Sequence, residues 1–285
     1  MDYMLAILAA VLLAFEFSFS KKYQSVEGAS IVSGLRFNLL SGLLSALIMF
    51  GIAGFRLEFS GYSLIMALSM SLCSSLYVLL SFKVLKLGGM ALYSTFLMSG
   101  GMLLPYIFGV VFLDEQMTFF RSIGVVAVLA GIVFSTASPK QTGKKLLLLC
   151  FAVFFLNGFV SIFSKCHQIT VSHATVSTAT FALYSGMGKF LFSAAALMFC
   201  KPKQFPMQKK HSLTFVAGAA VIGGISYLLQ LVSARALPAT VLYPTVTGGS
   251  MMFSAIAGRI FFKEPLSRRQ IFSIILCLIG TLLLL

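Results

Sequence analysis

The chain has 285 residues; 59% are hydrophobic, only 10% are charged, and the mean hydropathy is +1.00. A soluble domain carries about 25% charged residues, so a water-soluble enzyme or regulator is excluded and the chain reads as an integral membrane protein. The formal net charge of +14 would suggest nucleic acid in a soluble protein, but here Lys and Arg fall in short connections between apolar runs, as topogenic charge does, and no nucleic-acid partner is expected.

A helix crosses the hydrocarbon core with about 20 apolar residues. Ten such runs follow one another at 3–20, 30–52, 62–82, 91–113, 119–136, 146–164, 175–199, 212–234, 240–262 and 269–285. The first lacks a basic segment ahead of it and is followed by lysines rather than a small-residue cleavage site, so it reads as a retained span. It carries Glu16, and the second carries Arg36. Spans 3 and 4 bring Tyr77, Tyr93 and Thr95. Span 5 contains the small-residue step Ala127–Gly131, which suits close helix packing, as do Gly100-Gly101 and Gly248-Gly249. Ser138 to Lys145 forms a short basic hinge. Asn157 follows in span 6, Lys189 in span 7, Tyr227 and Gln230 in span 8, and Tyr243, Thr245 and Thr247 in span 9. The five cysteines show no Cys-x-x-Cys pair, and His167 and His173 share one outer loop without a third ligand, so neither a metal nor a cofactor is expected.

The second half repeats the first. Phe19-Ser20-Lys21 recurs as Phe163-Ser164-Lys165, Leu92-Tyr93-Ser94-Thr95 as Leu242-Tyr243-Pro244-Thr245, and the step ending at Glu115 as the one ending at Glu264. The offsets are 144, 150 and 149. Each copy holds five spans. Five is odd, so the second copy enters the membrane from the opposite side, an arrangement in which transporters bind substrate between the halves. Of the 21 Lys and Arg residues, 15 fall in odd-numbered connections and four, Arg56, Arg121, Lys165 and Arg235, in even ones. The positive-inside rule then predicts that the odd connections are cytoplasmic and both termini outside.

Ionisable groups within spans are functional suspects because their burial in hydrocarbon is costly. Glu16 lies about 7 Å from Lys21, and Arg36 about 12 Å from Gly28, at 1.5 Å per helical residue. If spans 1 and 2 are antiparallel neighbours, the two meet at similar depth as an ion pair, a gate or a coupling site. Lys189 lies about 18 Å from Lys201 and 24 Å from His173, near the middle of the membrane. No acidic residue accompanies it in its span, which suits a cation facing an anionic substrate group.

Three motifs in fixed order, the last of them duplicated, resemble the drug/metabolite transporter superfamily in its ten-helix EamA-like form. They are the Phe17-x-x-x-Lys21 step, Leu35-Arg36-Phe37 opening span 2, and the acidic steps Leu113-Asp114-Glu115-Gln116-Met117-Thr118 and Phe262-Lys263-Glu264-Pro265-Leu266-Ser267. The resemblance implies two EamA-like five-helix repeats at 1–137 and 144–285 and makes export the expected direction. A carboxylate in span 1 is also similar to the four-helix multidrug branch of the superfamily, where such a group exchanges protons for cations.

The expected fold is therefore all-α, with ten transmembrane helices in two inverted repeats, and the expected function is transport rather than catalysis. Small polar metabolites such as amino acids or organic anions would cross by alternating access. The expected substrate residues are Lys189, Tyr93, Tyr243, Thr95, Thr245, Asn157, Tyr227, Gln230 and Tyr77, with Glu16 and Arg36 as gate or coupling groups. The alternatives are a proton-coupled cation or multidrug antiporter using Glu16, and a non-transporting scaffold or lipid scramblase. The expected partners are the substrate, membrane lipids and a proton or counter-substrate, for a monomer or homodimer in the cytoplasmic membrane.

Overall fold

The computed structural model describes residues 2–28, 30–136, 143–199, 211–262 and 268–284, without the side chains at 82, 85–92, 94, 95, 135, 136, 261, 262 and 270. Among these, all regular structure is helical: α1 (Asp2–Glu27), α2 (Ile31–Ile52), α3 (Gly61–Phe112), α4 (Phe119–Thr136), α5 (Lys144–Ile169), α6 (Thr178–Met198), α7 (Ser212–Ala236), α8 (Ala239–Phe262) and α9 (Arg268–Leu284). Six helical segments are long and apolar enough to cross a membrane, including Gly61–Ser81, and Phe96–Phe112, Phe119–Phe134 and Ile271–Leu284 are shorter apolar segments.

Local chemistry sets several boundaries. Gly28, at φ 81°, takes the left-handed conformation that ends α1. Ser30 then caps α2 in a reciprocal box with Ser33, and Ser60 and Ser177 cap α3 and α6.

The helix α3 covers two predicted spans and the connection between them. A straight helix of 52 residues would reach about 78 Å. Its contacts with α5 require it to fold back instead. Met70 meets Ser164, and Gly101, 31 residues later, accepts a hydrogen bond from Ser161 at 3.3 Å. Val84 and Tyr93 both join the core at Cys150. The first limb of α3 therefore runs antiparallel to α5 and the second parallel to it, with the reversal between Val84 and Tyr93. No extended loop separates the two limbs.

Long-range packing pairs the helices across the chain. α2 lies along α6, α4 along α9, α1 along α7 and α8, and α5 along both limbs of α3. α1 and α7 are antiparallel: Ser226 Oγ donates to Ala9 O at 2.7 Å, and Phe19 packs over Gly218. α2 and α6 cross most tightly at Gly42 and Gly186, where a Cβ on either would lie 2.9 Å from the other's carbonyl oxygen. The small residues expected to permit close packing do so: Gly100 lies on the Phe154 backbone, Gly248 on Val128, and Gly131 on Cys277 and Ser273.

Two expectations about loops are corrected. Lys165, His167 and Arg235 were expected in outer connections but belong to α5 and α7. Lys165 and His167 are 4% and 1% exposed. Both helices run further than their apolar runs suggest because the polar side chains at their ends find partners inside the protein. The loop Lys201 to Lys210 and the step at Glu264 lie outside the described residues.

Candidate functional site

A cavity of about 270 Å³ lies between α1, α2, α3, α5, α6, α7 and α8. This is near the lower end of the roughly 300–1,000 Å³ usual for small-molecule sites. α4 and α9 pack on one another outside it.

The lining follows a rule. On α1 it is Leu13, Glu16 and Phe17, and on α5 the residues 144 positions later, Asn157, Val160 and Ser161. On α2 it is Ser41, Gly42 and Ser45, and on α6, again 144 later, Ser185, Gly186 and Lys189. The first limb of α3 gives Met70, Ser74 and Tyr77, and α7, 150 later, gives Ala220, Gly224 and Tyr227. The second limb gives Leu97, Met98 and Gly101, and α8, 149 later, gives Val246, Thr247 and Ser250. Twelve positions in the first half are thus matched by twelve in the second. They meet at one cavity because each set forms one face of its helix, at i, i+3, i+4, at i, i+1, i+4 or at i, i+4, i+7 spacing.

Among the described residues, Glu16 and Lys189 are the two charged side chains that line the cavity. They stand within electrostatic reach of one another. Glu16 lies against Gly223, where a Cβ would come within 2.6 Å of Oε2, so a glycine on α7 makes room for a carboxylate on α1. The Lys189 Cβ packs over Gly42. The expected pairing of Glu16 with Arg36 is corrected: α1 packs on α7 and α8 rather than along α2. Arg36 lies near Tyr23, two turns further along α1 and away from the lining, while the cation near Glu16 is Lys189.

Neutral polar groups fix the walls. Asn157 Nδ2 donates to Leu97 O at 2.7 Å, and Tyr243 OH to Ser161 O at 2.6 Å. Tyr227 OH lies 3.0 Å from both Ser164 Oγ and the Met70 sulfur. Tyr77, Gln230 and Thr247 also line the space.

Two expected residues fall elsewhere. Tyr93 packs with Val84, Leu146 and Cys150. In the register of 149 it corresponds to Leu242, which is also buried outside the lining, so the repeated Leu-Tyr dipeptide is one residue out of structural register. A one-residue shift rotates a helical side chain by about 100°. Thr245 is 1% exposed and off the cavity because it lies two residues from both Tyr243 and Thr247, on another face. The Thr95 side chain lies outside the described residues. Sequence reasoning missed Ser41, Ser45, Ser161, Ser185 and the Gly42–Gly186 crossing. The constant offset of 144 was a signal that could have found them.

Residues 142–285 match the model of the EamA-like transporter family. No curated protein matches the chain. A crystal structure of a protein 15% identical in sequence superposes with a TM-score of 0.78, over 99% of this chain and 95% of the other. That likeness shows a shared fold.

Proposed function

The chain belongs to the EamA-like transporter family and is a multi-pass membrane protein, and from that premise we propose that it carries small zwitterionic metabolites of the amino-acid class by alternating access between two inverted five-helix halves. The observation that carries the reading is that, among the described residues, one carboxylate and one ammonium line the cavity, Glu16 and Lys189. A ligand with both charges can answer both. Its carboxylate would meet Lys189 and its ammonium Glu16, so neither protein charge need be stranded when the two are drawn apart. The matched lining at offsets of 144, 150 and 149 supports a site on the boundary between halves. Ten crossings, with the odd connections cytoplasmic, both termini outside, the cytoplasmic membrane as location and export as direction, complete the proposal.

A second reading, cation antiport through Glu16, draws on the same carboxylate. The two separate in a binding screen. Purified protein is heated with zwitterionic amino acids, matched monoanions lacking the amine and matched monocations lacking the carboxylate, because a ligand that binds the folded state raises the melting temperature. The zwitterions alone should stabilise, and the effect should vanish in both Lys189→Met and Glu16→Gln. Stabilisation by the monoanions that survives Glu16→Gln would favour organic-anion transport. Stabilisation by the monocations that survives Lys189→Met would favour antiport.

A further inference from the structure

At one end of the bundle, charged groups that take no part in the cavity bond to the backbone where α7 meets α8. Lys165 directly follows the cavity-lining Ser164. Its Nζ donates to Ala234 O at 2.8 Å and Leu237 O at 2.7 Å. These carbonyls lie at the C-terminus of α7, where the helix dipole favours a cation. The next helix begins two residues later. Pro238, just before α8, has no side chain that could cap the helix, and the cap comes from the other half of the chain. The Glu115 carboxylate accepts from the N–H groups of Ala239 at 2.6 Å and Thr240 at 2.8 Å. Asp114, at φ 50°, turns the chain after α3, and the Glu115 carboxylate lies over Gly109, where a Cβ would come 2.6 Å from Oε2. Lys165 and Glu115 are within electrostatic reach of each other.

The α7–α8 connection is thus held by a cation on one helix end and an anion on the next. Beside it, His167 bonds Ser63 at 2.9 Å and Gln168 accepts from Arg235 at 2.8 Å. Leu237, Ala239 and Thr240 are at most 5% exposed, while Pro238 between them is half-buried. Lys165 and Glu115 come from two of the three motifs that recur in both halves. The copy of Lys165, Lys21, is exposed and lies near the opposite end of α7, beside Phe19 on Gly218.

We propose that Lys165 and Glu115 are the gate at this end of the transport path, closed in this structure, and that both must release the α7–α8 connection before the cavity can open to the α5–α6 side. The inference rests on the alternating-access reading only for the need to open this end.

The test uses full-length protein in membranes, with its five cysteines replaced and Gln230→Cys as a reporter in the cavity. A membrane-impermeant maleimide is applied from the side of the α5–α6 connection, identified with Val171→Cys, since Val171 is 99% exposed. The parent should label slowly. Lys165→Met and Glu115→Ala should each speed labelling about tenfold or more, the scale expected when a charged hydrogen-bonding group is lost. Lys21→Met should leave the rate unchanged. Fast labelling of the parent would overturn the gate. So would parental rates in Glu115→Ala, whose side chain lies on a partly exposed connection and can be removed even if Lys165→Met fails to fold. Labelling needs no substrate. Faster labelling in a protein that moves no amino acid would uphold the gate and count against the proposed substrate, whereas amino-acid flux with parental labelling would do the reverse.

Discussion

The two walls of the cavity occupy equivalent places and have different chemistry. The first-half wall has apolar side chains at Leu13, Phe17, Met70 and Met98, and it carries the anion Glu16. The second-half wall places Asn157, Ser161, Ala220 and Thr247 at the matched positions, and it carries the cation Lys189. Where one wall has a charge, the other has a neutral residue: Val160 answers Glu16, and Ser45 answers Lys189. Positions are kept while side chains diverge. Matched positions in the two halves thus supply the frame, and their different side chains give the cavity two chemically distinct walls.

The comparison can be broken first at Lys189. Lys189→Met should weaken binding of a zwitterionic substrate about a hundredfold, since removing one partner of a desolvated charge contact costs about 2–5 kcal/mol. Equilibrium binding in detergent with folding confirmed by size-exclusion chromatography checks it, and unchanged affinity would remove the cation from the site. Glu16→Gln is expected to cost about thirtyfold, less because the amide still offers a hydrogen-bond acceptor; a loss confined to ligands with an amine is the signature to look for.

Gly223→Ala sharpens the comparison without touching either charge. The new methyl would lie 2.6 Å from Glu16 Oε2 and must push the carboxylate aside. We expect about a fivefold loss of affinity, on the scale of misplacing one polar contact, with the same dependence on a ligand amine as Glu16→Gln. Equal losses for ligands with and without an amine would show a general packing effect instead. The smallest effect belongs to Tyr243→Phe, which removes the bond to Ser161 O and should cost about 1 kcal/mol of stability, read as a lower melting temperature with little change in affinity. A loss of binding as large as that of Glu16→Gln would make the Tyr243 hydroxyl a direct ligand contact.

Much of this was legible before any coordinates. Apolar runs and sparse charge decide for membrane helices because the bilayer core leaves the backbone few alternatives. The duplicated motifs pointed to two halves, and Lys189 and Glu16 stood out because ionisable groups are rare at that depth. The helix-packing glycines followed from the same reasoning about small residues.

Other features depended on which helices are neighbours. Short loops suggested that α1 would pair with α2 and Glu16 with Arg36, but α1 is buried against α7 and α8, far along the chain, and its carboxylate lies against Gly223 of α7, within electrostatic reach of Lys189 on α6. Tyr93 and Tyr243 share a dipeptide but not a helical register, and one residue of shift is enough to turn a side chain from the cavity into the core. Lys165 read as a loop charge because lysine usually marks the membrane edge. Its burial depends on two carbonyls of a helix whose nearest of these residues lies 69 positions away. Composition and periodicity act through the local chain and its solvent, so the sequence alone determined that the chain is built of apolar helices. Contacts between helices distant in sequence set the approach of Lys189 to Glu16, the cavity faces and the burial of Lys165, and only the tertiary structure could decide those.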